Sequence, residues 1–141
     1  MIRKARALWR GSGRDGNGDL STDSGVLANT PYSFRTRFES EKGTNPEELL
    51  AAAHAGCFTM ALSAQLAQAN LTAESLETTC SINLEKQPDG FAITESHLEL
   101  TAKIPGATQE AFDKAVQAAK SGCPVSKLYK TNITLSAKLQ S

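Results

Sequence analysis

The side chains equipped for covalent chemistry are three cysteines, Cys57, Cys80 and Cys123, and two histidines, His54 and His97. A thiolate attacks electrophiles and a thiol does not, so each cysteine is judged by what would stabilise its anion. Cys80 keeps step with Ile82 and Leu84 on the apolar side of an alternating run, where cysteine behaves as a small hydrophobe. Cys57 lies in an alanine-rich segment between Gly56 and Phe58, and by itself it also reads as core. Cys123 stands in Gly122-Cys123-Pro124, at the start of a helical turn whose N–H groups and dipole favour a thiolate. On local position alone, Cys123 is the more acidic thiol. His54 precedes Cys57 by three positions and comes within reach of it on a helix. His97 falls on the polar side of a strand and is expected at the surface. His54, Cys57 and Cys123 lack further ligands at a recognisable spacing, so no metal site is expected.

Among the charged residues, Arg35 and Arg37 share one side of an alternating run whose other side carries Tyr32, Phe34 and Phe38. Glu47 and Glu48 follow Asn45-Pro46, a helix start with an N-cap, proline at the first position and acids in the first turn. With Asn45 as cap, Glu48 is placed to close a capping box, which leaves Glu47 free for other work. Gly11, Gly13 and Gly16 match the spacing of a dinucleotide fingerprint. That fingerprint works only where a helix N-terminus faces the pyrophosphate, and no helical period follows here, so a hairpin loop is expected.

The elements that must position these residues are of mixed type. Residues 1–40 read as β, with Ala5, Ala7 and Trp9 on one side of the first strand. A long helix runs from residue 46 to about 69, roughly 36 Å at ~1.5 Å per residue. Its apolar residues surround it rather than forming one stripe, so cover from a second chain is expected. Two alternating strands follow, one through Leu76, Cys80, Ile82 and Leu84 and one through Leu98, Leu100, Ala102 and Ile104. Thr108 to Lys120 is amphipathic, with Phe112, Ala115, Val116 and Ala119 on one side. A short turn of helix after Pro124 and a last strand through Ile133, Leu135, Ala137 and Leu139 complete an α+β fold.

Composition narrows the function. The chain has 141 residues, and 15 Lys plus Arg balance 15 Asp plus Glu. This is one domain's worth of chain, without the basic excess that nucleic acid or anionic membrane would call for. An odd count of cysteines makes no disulfide framework, and no apolar stretch follows the charged N-terminus as in a secretory signal. The expected compartment is the cytoplasm. Leu49 to Ala73 has no Asp, Glu, Lys or Arg, but its strongly apolar residues are too few for a membrane span.

Three segments, Pro31 to Glu39, Glu41 to Ser63 and Gly122 to Ser126, resemble the osmotically induced OsmC/Ohr family, and most closely its OsmC branch. The resemblance covers nearly the whole chain, residues 1–141, as a single OsmC-like domain. It implies an intertwined homodimer with antiparallel sheets packed around long central helices. It also implies a cysteine-based peroxidase that reduces organic hydroperoxides and, more weakly, hydrogen peroxide, without a cofactor. Cys57 then matches the peroxidatic cysteine and Cys123 the resolving one. Arg37 matches the arginine that holds the thiolate, and Glu47 the glutamate that fixes that arginine. The implied electron donor is an external thiol, for the family usually a lipoylated protein. The competing interpretation is a non-catalytic stress or binding protein whose cysteines are structural.

Spacing adds an independent point. Glu47 and Cys57 are ten residues apart on one helix, hence about 15 Å along its axis. For both to serve one peroxide, one must come from a second chain, so composite sites at a two-fold interface are expected.

Overall fold

The computed structural model describes residues 1–141, which form two compact units, Met1–Leu49 and Leu50–Ser141. In the first, β1 (Ala5–Arg10), β2 (Asn17–Thr22) and β3 (Thr30–Tyr32) make an antiparallel sheet in that order. The glycine-rich loop joins β1 to β2, and the segment after it is a strand, not a helix, so the fingerprint has no dipole to use. Packing explains Gly18, just beyond the loop in β2. A Cβ on Gly18 would stand 2.6 Å from the Leu8 carbonyl oxygen and 2.7 Å from both the Trp9 and Tyr32 rings. Those two rings meet edge to face at 5.4 Å.

The expectation of a strand through Phe34, Arg35 and Arg37 fails. Phe34–Phe38 is a short helix, α1. A spacing of four satisfies a strand's period and a helix's equally, and Phe34 and Phe38 pack at 4.9 Å as helical neighbours. Capping decides between the two. The Ser33 hydroxyl accepts the Thr36 N–H at 3.2 Å, and the Thr36 hydroxyl accepts the Ser33 N–H at 2.9 Å.

Helix α2 spans Pro46–Gln68, as the sequence leads one to expect. Asn45 Oδ1 accepts the Glu48 N–H at 2.8 Å, which satisfies one of the unpaired donors of the first turn. His54, Phe58, Leu62 and Leu66 form a buried stripe at helical spacing. Ala52, Gly56, Met60 and Ala64, on the far side, are exposed, Met60 by 75%. By length and composition α2 is apolar enough to cross a membrane, which the count of strongly apolar residues had put out of reach. Alanine makes the difference, since it raises the hydropathy of a helix without adding bulk.

The second unit has a sheet in the order β4 (Ser75–Gln87), β5 (Gly90–Lys103), β6 (Asn132–Gln140). β4 and β5 form an antiparallel hairpin, but β6 lies parallel to β5, so the sheet is mixed where antiparallel sheets were expected. Two helices, α3 (Gln109–Gly122) and α4 (Pro124–Leu128), occupy the crossover, and a parallel pairing needs such a connection. Leu98, Leu100 and Ala102 of β5 bury against Phe58 and Leu62 of α2 and Phe112, Val116 and Ala119 of α3 in one core. Each large side chain removed from water there contributes roughly 1.5–3 kcal/mol. His97 is half-buried rather than on the surface, because its ring meets the Thr134 hydroxyl of β6.

Candidate active site

Two elements bring the expected cysteines together. Cys57 projects from the middle of α2, and Cys123 ends α3 and caps α4. The Cys123 and Cys57 sulfurs stand 2.6 Å apart, and both cysteines are free. This is little beyond the ~2.05 Å of a disulfide bond, so a bridge would require only slight movement. The two thiols differ in access: Cys57 is half-buried, whereas Cys123 has no exposed surface. Burial pushes the Cys57 thiol up from its ordinary value, and the second sulfur against it adds to the effect. A hydrogen bond from the Val125 backbone works in the opposite direction. Cys123 makes no capping hydrogen bond with its side chain.

His54 does not turn toward Cys57. Its ring has no exposed surface, and Nδ1 meets the Ser96 hydroxyl of β5 at 2.6 Å while Nε2 meets the Ser126 hydroxyl of α4 at 2.8 Å. Burial lowers its pKa, so the imidazole is neutral, with one nitrogen donating and the other accepting. Both nitrogens are therefore engaged by hydroxyls. Cys80 is the third thiol in this neighbourhood, 3.3 Å from Ser96 Oγ and 3.9 Å from His54 Nδ1. It is half-buried, and burial raises its pKa, in keeping with the inert role its strand position suggests. Tyr129 stacks edge-on to the His54 ring at 5.0 Å and donates from its hydroxyl to the Leu50 carbonyl at 2.8 Å.

In the first unit, Arg37 on α1 holds Glu47 in the first turn of α2. Its Nε lies 3.2 and 3.3 Å from the two carboxylate oxygens, and its Nη2 lies 2.8 Å from Oε1. Glu47 is buried, and this fork fixes the plane of the guanidinium. Arg35, also at the surface, faces other carboxylates, 3.7 Å from Glu39 and from Glu41.

The residues that sequence reasoning missed are Ser96, Ser126 and Tyr129. Ser96 is in step with Leu98 and Leu100 on the apolar side of β5, where a hydroxyl calls for a partner. Ser126 sits three residues beyond Cys123, one helical turn away.

The model of the family described as OsmC-like protein matches residues 39–138. The chain is 50% identical over 139 residues to a protein of Escherichia coli named Peroxiredoxin OsmC, covering 99% of this chain and 97% of that one. It is 30% identical over 124 residues to the organic hydroperoxide resistance protein OhrB of Bacillus subtilis, covering 87% and 89%. The crystal structure of an organic hydroperoxide resistance protein OsmC from Legionella pneumophila superposes with a TM-score of 0.71 at 25% identity, covering 100% of this chain and 98% of the other. Two cysteines on facing elements, in a chain that shares half its positions with a peroxiredoxin along almost its full length, leave one assignment: the chain belongs to the OsmC family.

Proposed function

We propose that this chain, acting as a single OsmC-like domain, is a cysteine-based peroxidase that reduces organic hydroperoxides through Cys57 and Cys123. The contact between those two sulfurs, one accessible and one sealed, carries the assignment. The Cys57 thiolate attacks the distal peroxide oxygen and the O–O bond breaks. The sulfur is oxidised to a sulfenic acid, and the alkoxide leaves and takes up a proton as the alcohol. The Cys123 sulfur then attacks Cys57, the S–O bond breaks, and the hydroxyl leaves with the Cys123 proton as water. Two electrons from an external thiol, such as a lipoylated protein, return the disulfide to two thiols.

Because burial raises the Cys57 thiol, the site needs a positive charge to hold the thiolate at neutral pH. Arg37 supplies it and also polarises the peroxide as charge develops on the leaving oxygen, while Glu47 fixes its orientation. Ten residues of straight helix separate Glu47 from Cys57, about 15 Å along the axis, so Arg37 and Glu47 act on the Cys57 of a second copy. The exposed small-residue side of α2 supports such a homodimer, since alanine and glycine permit close helix packing. The enzyme works in the cytoplasm, where reducing thiols regenerate it.

Reduced protein mixed with one equivalent of cumene hydroperoxide tests this. Loss of two thiols per chain, mapped by peptide mass to Cys57 and Cys123 with Cys80 untouched, is the expected result. Three surviving thiols with the peroxide unconsumed would mean that the cysteines are structural and the protein is not a peroxidase.

A further inference from the structure

Helix α4 has only five residues, far too few to be stable alone, and the side chain of its N-cap, Cys123, makes no capping bond. Something outside it must hold it in place. The helix runs on from α3 through Cys123, and three contacts tie it to α2, running antiparallel at steps of about one helical turn. Cys123 meets Cys57, Ser126 meets His54 at 2.8 Å, and Tyr129 meets the Leu50 carbonyl at 2.8 Å. The second and third are buried or half-buried polar contacts, and His54 is itself anchored to β5 through Ser96. The sulfur contact is the one of the three that the reaction changes, since oxidation adds an oxygen to the Cys57 sulfur before the two sulfurs bond.

From this ladder we infer that His54, Ser126 and Tyr129 are positioning residues for disulfide closure. They keep α4 in register on α2, so that Cys123 stays within reach of Cys57 once Cys57 carries an oxygen. This rests on Cys57 being the oxidised and Cys123 the resolving cysteine. The closing step itself is the one already balanced, with S–S formed, S–O broken and water released. The positioning residues exchange no proton or electron with it. Closure and oxidation should therefore respond differently to their removal. The first step needs only an accessible Cys57 thiolate, and the second needs α4 in place.

The test is rapid mixing of reduced full-length protein with cumene hydroperoxide, followed by quenching with dimedone and intact mass, so that sulfenic acid and disulfide are timed separately. In Ser126→Ala the ratio of closure rate to oxidation rate should fall about tenfold, as for loss of one buried hydrogen bond. Tyr129→Phe, which removes a single oxygen and keeps the ring over His54, should lower the same ratio. Ser96→Ala takes the hydroxyl from the other ring nitrogen and leaves the tie to α4, so it should lower the ratio less than Ser126→Ala. With excess peroxide, the slowed variants should accumulate Cys57 sulfinic acid. Melting curves identify any variant that has lost its fold, and Tyr129→Phe carries the test if Ser126→Ala is one of them. Unchanged ratios in folded Ser126→Ala and Tyr129→Phe would overturn the inference. So would equal losses in Ser96→Ala and Ser126→Ala, which would mark a general loss of packing. A wild-type protein that consumes peroxide without linking Cys57 to Cys123 would instead overturn the assignment of the cysteines, and the inference with it.

Discussion

Cys57 and Cys123 stand 2.6 Å apart, sulfur to sulfur, yet only Cys57 has a surface that solvent or a peroxide can reach. Position along the chain favours the opposite ranking, because Cys123 caps a helix and Cys57 lies mid-helix. An anion-stabilising position is of no use to a nucleophile that the substrate cannot touch. The pair is asymmetric in access, and in the proposed cycle access sets the order of events.

Three substitutions separate the cysteines. Cys57→Ser should abolish peroxide consumption. Cys123→Ser should still reduce one equivalent, then stall with a sulfenic or sulfinic acid on Cys57. Cys80→Ser should still lose two thiols per chain. Peroxide consumption and intact mass on the same samples read all three.

Arg37→Ala should slow the reaction with cumene hydroperoxide at pH 7 by about 10²-fold, the usual cost of one electrostatic donor at a reacting centre. Burial holds the Cys57 thiol above its ordinary range, so without the guanidinium the thiolate forms only in alkaline solution. The rate of the variant should accordingly climb as pH rises, and stopped-flow pH profiles of the two proteins would diverge most at neutral pH. Glu47→Gln leaves the cation but loosens its fork, and should cost about tenfold.

The fold should lose stability in mild acid because of His54. Its folded pKa lies below that of a free imidazole, so the unfolded chain takes up a proton first. That contribution is complete above the unfolded value of ~6.5 and is lost as pH falls from there toward the folded value. Cys80 and Tyr129 are the titratable side chains against the ring, and neither becomes anionic in this range. Urea midpoints between neutral and mildly acidic pH should slope downward for the natural protein and less so for His54→Gln. Parallel slopes would mean that His54 is not the group responsible.

The uncovered side of α2 predicts association. The protein should sediment as a dimer at micromolar concentration, and Met60→Glu, which puts a charge among Ala52, Gly56 and Ala64, should shift it to monomer. If Arg37 and Glu47 come from the second copy, the same variant should react with peroxide more slowly per chain. A monomeric natural protein with full activity would remove the composite site.

Much of this protein is written in local pattern. The start of α2 at Asn45-Pro46, the alternation through β4 and β5 and the amphipathic period of α3 are each set by neighbours within a turn or two, which is why they are legible in the chain. The two cysteines and the arginine–glutamate pair stand out only through the segments that resemble the OsmC/Ohr family, since by position alone Cys57 reads as core and Arg37 as a surface residue. The helix at Phe34–Phe38 was not, because aromatic spacing of four suits both periods and only the Ser33–Thr36 cap distinguishes them. Nor was the parallel placement of β6, since strand direction depends on the path of the crossover and not on the strand. The contact of Cys57 with Cys123, the capture of His54 by Ser96 and Ser126, and the tie from Tyr129 to Leu50 join residues 42 to 79 positions apart. Packing of α4 and β5 against α2 decides them. Sequence thus set which residues have the chemistry, and tertiary structure decided which thiol is open, which is sealed, and what holds them face to face.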